Sequence, residues 1–257
     1  MKMVDLILFM GQSNMAGRGD DLSLAPPVKE GVGYEYRAVS APDRLMPVSE
    51  PFGAEENNPA GVWEPGMKTG SMVSSFINAC YKKTRVPVVG VSCSKGGSSI
   101  LQWMPGTPFW LDAAERCERA ESWLSGNGYP VRSVSMAWCQ GCTDGDQEMT
   151  AAEYKKNTAL FFRSWLEFGV QQIFLIRIGD QRDEPQLYEP VQEAQEELAE
   201  EISQVVMVSR GFKNLREMGL MKDLYHYKQE GYNLIGAEAG AAAGRYLAGL
   251  SQQRYRT

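Results

Sequence analysis

The chain begins, after three residues, Val4-Asp5-Leu6-Ile7-Leu8-Phe9-Met10-Gly11-Gln12-Ser13-Asn14-Met15-Ala16-Gly17-Arg18-Gly19. Residues 4–10 form an apolar run broken only by Asp5, the pattern of a strand buried on both faces of a sheet. The run leads directly into a glycine-bounded turn that carries the hydroxyl of Ser13. Runs of the same kind recur at residues 86–93, 131–138, 172–178 and 205–209, each rich in Val, Ile or Phe. Between them, apolar side chains fall at helical spacing over residues 71–83, 109–124, 151–168, 185–202 and 232–250. Parallel strands need crossover helices to rejoin the sheet. The alternation therefore predicts one α/β domain over residues 1–257, a three-layer α/β/α sandwich with a five-stranded parallel sheet. Residues 20–70 stand apart, rich in Pro, Gly and Asn and without a period. A loop of that length in a compact domain is usually functional, and its place after the first strand suits the wall of a substrate cleft.

Composition narrows the function. The 257 residues are 43% hydrophobic and 23% charged, with a net charge of -6, as in an ordinary globular protein. An acidic balance argues against nucleic acid as a partner, and the small basic cluster of Arg245, Arg254 and Arg256 does not reverse it. No apolar stretch approaches the roughly 20 residues that cross a bilayer, and the start, Met1-Lys2-Met3-Val4-Asp5, lacks a secretory pattern. Five cysteines (Cys80, Cys93, Cys117, Cys139, Cys142) cannot all pair within one chain. Reduced thiols in a soluble, cytoplasmic protein are the expectation. There is no phosphate-binding or dinucleotide fingerprint and no zinc-like cysteine spacing, so no cofactor and no metal is expected. The single histidine, His226, must supply any imidazole that the mechanism uses.

Ligands of open parallel sheets bind outside the carboxyl ends of the strands. The segments that follow the predicted strands are Gly11 to Gly19, Ser94-Lys95-Gly96-Gly97-Ser98-Ser99, Cys139-Gln140-Gly141-Cys142-Thr143-Asp144 and, before the last helix, Asp223-Leu224-Tyr225-His226. They provide a hydroxyl, glycine-flanked amides, a carboxamide, carboxylates and the imidazole. Those are the parts of a serine hydrolase: nucleophile, base, base-orienting acid and oxyanion donors.

Four segments in this order resemble the blocks of the sialate O-acetylesterase and carbohydrate esterase family 6 group of SGNH hydrolases. They are Gly11 to Gly19; Gly96-Gly97-Ser98-Ser99-Ile100 followed by Trp103; Trp138-Cys139-Gln140-Gly141; and Asp223-x-x-His226. The resemblance implies a flavodoxin-like SGNH fold and a serine esterase that removes O-acetyl groups from a carbohydrate, of the sialic acid or xylan type, without a cofactor. It implies Ser13 as nucleophile, His226 as base and Asp223 as the orienting acid. The oxyanion hole would comprise the Ser13 amide, the Gly97 amide (Gly96 being the alternative) and the Gln140 carboxamide. Gln12, Asn14 and Trp103 would contact substrate. Trp63, Trp110 and Tyr225, like Trp103, are aromatic candidates for stacking on a sugar ring, with buried core packing the alternative. The family's third block commonly reads Gln-Gly-Glu, whereas Cys142 stands at the glutamate position here. The acid role then falls on Asp223, with Asp144 contributing if its loop folds back.

Three rival readings follow from the same residues. Loss of that glutamate fits a non-catalytic protein that binds acetylated sugars. A general short-chain carboxylesterase shares the hydrolase parts. Trp138-Cys139-x-x-Cys142 also spells a thiol-redox pattern, although the acidic Thr143-Asp144-Gly145-Asp146 that follows opposes the lowered thiol pKa such a role requires.

Overall fold

In the computed structural model, which describes residues 3–254, the strands form one sheet flanked by helices. Met1, Lys2 and Arg256, invoked above, lie outside the described residues. In chain order the elements are β1 (Val4–Gly11), α1 (Ser13–Ala16), β2 (Gly33–Tyr36), β3 (Leu45–Pro47), α2 (Val73–Thr84), β4 (Val88–Ser94), α3 (Pro108–Gly126), β5 (Val131–Cys139), α4 (Cys142–Asp146), α5 (Ala151–Phe168), β6 (Gln172–Ile176), α6 (Glu189–Glu201), β7 (Val205–Ser209), α7 (Phe212–Leu215) and α8 (Gln229–Arg254). The strand order is β3-β2-β4-β1-β5-β6-β7, parallel throughout except for the antiparallel edge strand β3.

The apolar opening run thus becomes the middle of the sheet, and every residue of β1 is buried. Its side chains alternate between two cores, as the pleat requires. Leu6, Leu8 and Met10 join Cys117, Phe161, Trp165 and Leu198 beneath α3, α5 and α6. Ile7 and Phe9 join Phe76, Ile77, Ile235 and Ala239 beneath α2 and α8. Asp5, the one acid in the run, is fully buried, and Arg132 (2.6 Å) and the Ser133 hydroxyl (2.9 Å) satisfy its carboxylate.

The sheet has seven strands, not the five expected. The two extra strands, β2 and β3, lie inside residues 20–70, where no period was visible. β2 is only Gly-Tyr-Glu-Tyr, and its central Glu35 is fully buried where an apolar residue would have marked a strand. β3 ends in Pro47, tolerated because it lies at the sheet's edge. The rest of the segment has no periodic apolar stripe; scattered anchors such as Phe52 and Val62 enter the cores, and buried polar groups hold the chain between them. Glu56 accepts the amides of Val39 and Ser40 at 2.9 and 3.0 Å. The Lys68 ammonium reaches the Gly53 carbonyl and the Ser92 hydroxyl at 3.0 and 2.8 Å. Arg116 of α3 donates to the carbonyls of Ser92 and Glu56, at 2.7 and 3.3 Å. Residues 185–202 also differ from the expectation of one helix, since a 3₁₀ turn (Pro185–Tyr188) precedes α6. Among the described residues no helix is long and apolar enough to cross a membrane.

The Gly/Ala-rich α8 is explained by its neighbour. Gly236, Gly240 and Gly244 recur every fourth residue and so share one face. A Cβ there would lie 2.2, 2.2 and 2.8 Å from the carbonyl oxygens of Met72, Phe76 and Cys80. The two helices touch backbone to backbone, and the glycines permit it.

Helix propensity favours Ala over Gly by about 1 kcal/mol, yet a methyl at position 240 must push α8 away from α2. Gly240→Ala is therefore expected to lose about 1–3 kcal/mol in urea unfolding; a gain would mean that the helices separate freely. Burial pushes the Glu35 carboxyl up to about 7, against the opposing pull of Arg37 and the Gly53 amide. Between the ordinary glutamate range and about 7 the folded chain holds a proton that the unfolded chain releases. The stability associated with Glu35 is thus full below that range and is lost as pH rises through about 7. Relative to Glu35→Gln, the wild type should lose roughly 2–3 kcal/mol between about pH 4 and about pH 8; a pH-independent difference would refute the shift.

Candidate active site

Three strand ends meet at one level. Gly11 pairs with Ser94 of β4 on one side and with Cys139 of β5 on the other. Gly11 has φ +135°, and a Cβ there would lie 2.1 Å from the Cys139 carbonyl oxygen, so only glycine allows the chain to turn at this point. The Gln12 amide then donates to that same carbonyl at 3.0 Å, and Ser13 opens the single turn of α1.

The Ser13 hydroxyl oxygen lies 3.0 Å from Nε2 of His226, whose Nδ1 lies 2.9 Å from Oδ2 of Asp223. The loop that brings the imidazole there is shaped by Asp223 itself. Its Oδ1 accepts the backbone amides of Tyr225 and His226, at 2.8 and 2.7 Å, which closes an Asx-type turn. Partial burial pushes the Asp223 carboxyl up, but the donors from Tyr225 and His226 outweigh it and hold the group below its ordinary range. An ionised carboxylate can only accept, so Nδ1 of His226 carries the proton and Nε2 faces the hydroxyl as an acceptor. A hydroxyl in this arrangement can lose its proton to the imidazole as it attacks an electrophile.

The cleft around these groups measures about 510 Å³. Gln12, Gly97, Trp63 and Tyr225 line it, together with Cys142, Lys95, Arg18 and Glu64. Gln12 accepts the Gly141 amide at 2.8 Å through Oε1, while its Nε2 has no protein acceptor among the described residues. The two glycines of the second block differ. The Gly96 amide donates to Glu64 Oε1 at 2.7 Å, whereas the Gly97 amide, in an exposed left-handed turn at φ +66°, has no protein acceptor among the described residues.

Several expected contacts are replaced by other roles. Gln140 is fully buried, and both of its N–H donors are occupied, by the Ser98 carbonyl at 2.9 Å and by Asp144 Oδ2. Its carboxamide therefore has no donor left for an oxyanion. Asn14 is buried outside the cleft lining, where it donates to the Tyr225 carbonyl at 3.1 Å and accepts from the Tyr232 hydroxyl at 2.7 Å. It ties the Ser13 turn to the His226 loop and to α8 instead of meeting substrate. Trp103 is fully buried against Trp138, with its indole N–H on the Ser98 hydroxyl at 2.9 Å. It belongs to the core, and Trp110 likewise packs on Trp165 and Phe168. Asp144 does not reach His226: its carboxylate accepts from the Ser99 hydroxyl (2.7 Å), the Ile100 amide (3.0 Å) and Gln140, which joins the second and third blocks.

Glu64, Arg18 and Lys95 went unassigned in the sequence. Glu64 comes from the aperiodic segment and forms a buried ion pair with Arg18, 46 residues away. No local pattern marks that pairing. Lys95 had a visible place, directly before the glycine pair, but nothing in its spacing gave it a role. Cys142 is buried at the cleft edge 3.9 Å from the Asn14 amide nitrogen, and burial pushes its thiol up to about 12. Cys139 is likewise free, and burial raises its thiol, so neither sulfur has the thiolate character of a redox centre.

Known proteins share this arrangement of strands and helices. The family model described as carbohydrate esterase, sialic acid-specific acetylesterase, matches residues 3–244. A structure of an Arabidopsis thaliana protein is 22% identical, with a TM-score of 0.67 over 93% of this chain and 97% of its own. NanS is 13% identical, with a TM-score of 0.63 over 100% of this chain and 99% of its own. A carbohydrate acetylesterase from Xanthomonas citri is 15% identical, with a TM-score of 0.57 over 95% of this chain and 56% of its own. No curated protein matches the chain by sequence. The family match spans nearly the whole chain, which therefore belongs to the sialic acid-specific acetylesterase family of carbohydrate esterases and is a carboxylic ester hydrolase.

Proposed function

We propose that the protein is a serine esterase that removes O-acetyl groups from a carbohydrate through an acyl-Ser13 intermediate. The observation that carries this reading is the hydrogen-bonded series Ser13, His226, Asp223, at 3.0 and 2.9 Å, opening into a cleft. In acylation, Ser13 Oγ bonds to the acetyl carbon, the carbonyl π pair moves onto oxygen, and the Ser13 proton passes to His226 Nε2. Collapse of the tetrahedral species expels the sugar alkoxide, which takes that proton from His226. Water then repeats the sequence on the acyl-enzyme and releases acetate. Asp223 stays ionised and stabilises the imidazolium.

We assign the oxyanion to the backbone amides of Ser13 and Gly97, since Gln140 is committed elsewhere. Gln12, with its free Nε2 at the cleft, is the carboxamide assigned to substrate. Trp63 and Tyr225, 46% and 38% exposed, are the aromatics available to a sugar face. The charged side chains Arg18, Glu64, Lys95 and Asp146 in the cleft lining support a short acyl group on a hydrophilic alcohol over a long-chain ester. Structural neighbours include an acetylxylan esterase from Geobacillus stearothermophilus, so both xylan-type and sialic acid-type sugars enter the substrate screen. Five free, buried cysteines support a reducing, cytoplasmic setting, and the net charge of -6 disfavours a nucleic-acid partner.

The test is hydrolysis of p-nitrophenyl acetate at neutral pH. Ser13→Ala should reduce kcat/KM on the order of 10,000-fold or more; equal rates would sink the assignment. Asp223→Asn should reduce kcat roughly 1,000- to 10,000-fold, because a neutral amide no longer enforces the Nδ1–H form of His226. Thermal unfolding of both variants should stay near wild type, and a large drop in Tm would make the loss structural.

A further inference from the structure

We infer that Lys95 is a positioning residue that strengthens the Gly97 amide as an oxyanion donor. The Lys95 ammonium donates to the Gly96 carbonyl at 2.8 Å. That carbonyl and the Gly97 N–H belong to one trans peptide unit, so they point in opposite directions and share one conjugated system. A cation on the carbonyl oxygen draws density toward it, leaves the nitrogen more positive and makes its N–H a stronger donor. The inference rests on the proposed serine-esterase reading, with Gly97 at the oxyanion.

Three further contacts fix the preceding Lys95–Gly96 peptide, and with it the turn that carries the Gly96–Gly97 unit. The Gly96 amide is held by Glu64 Oε1 at 2.7 Å, the Ser98 hydroxyl donates to the Lys95 carbonyl at 2.6 Å, and Glu64 is itself neutralised by Arg18. No carboxylate pairs with Lys95 among the described residues, so its charge is not offset by a counter-ion. Lys95 exchanges no proton in the reaction. As the Ser13 oxygen bonds to the acyl carbon, the π pair moves to the carbonyl oxygen, and the new charge meets an N–H already polarised toward it. The interaction grows with charge on that oxygen, so it acts on the transition state more than on bound substrate.

The test compares wild type, Lys95→Met, Lys95→Arg and Ser13→Ala on p-nitrophenyl acetate, an uncharged ester that cannot form an ion pair with Lys95. Lys95→Met should lower kcat and kcat/KM together, about 10- to 30-fold, a fraction of what a whole oxyanion donor is worth. KM should stay within about twofold, Tm should be unchanged, and Lys95→Arg should recover most of the rate. The Gly97 amide proton should move upfield in Lys95→Met, reporting the weaker polarisation directly. Wild-type kcat in Lys95→Met, or a loss carried wholly by KM, overturns the inference while an inactive Ser13→Ala leaves the esterase reading standing. A Ser13→Ala variant as active as wild type overturns both.

Discussion

Gly11 lies level with Ser94 on one side and Cys139 on the other, and the rest of the site depends on that register. Parallel strands leave the sheet at the same end, so the three turns that follow must share one surface. The β1 turn carries Ser13, the β4 turn carries Lys95 to Gly97, and the β5 turn carries Gly141 and Cys142. Because β5 approaches too closely for any side chain at position 11, the Ser13 turn is seated against the Cys139 carbonyl. The fourth contributor, His226, arrives from a loop more than two hundred residues away and is fastened by Asn14, which spans the two through the Tyr225 carbonyl and the Tyr232 hydroxyl.

Chemically identical carboxylates take different roles because their surroundings differ. Asp223 is partly solvated, with 44% of its side chain exposed, and receives two backbone amides and the imidazole, so it stays charged and orients His226. Asp144 is fully buried, and burial raises its carboxyl despite the donors from Ser99, Gln140 and Ile100. It serves as a structural knot between two blocks. Glu64 is buried beside Arg18 and anchors the glycine turn. With a neutral thiol at Cys142, Asp223 is the carboxylate bonded to His226.

The long segment between β1 and α2 shows how an irregular stretch can be ordered without an apolar stripe. Glu35, Glu56, Lys68 and Arg116 are buried, and their bonds run mostly to backbone groups of the segment and of β4. A buried polar group left unpaired is costly, so this network favours one conformation over the many that a Pro- and Gly-rich loop could adopt. Its consequence for the cleft is that Trp63 and Glu64 are held at fixed places along the wall.

Legible in the residues alone are the alternation of strands and helices, the burial of residues 4–10 on both faces, and a short list of candidate groups: one serine in a glycine turn, one imidazole and an acid three residues before it. These are local signals, because apolar periodicity and turn chemistry are written in neighbouring residues. Which members of each block face the cleft was settled by packing between segments distant in the chain. Gln140, Asn14 and Trp103 carry suitable chemistry, but their donors and rings are committed to Ser98, Tyr225 and Trp138. Hydrogen-bond capacity is finite, and its allocation depends on partners distant in sequence. For the same reason β2 and β3 escaped the sequence, since a buried Glu35 reads as polar until Arg37 and the Gly53 amide are seen to satisfy it.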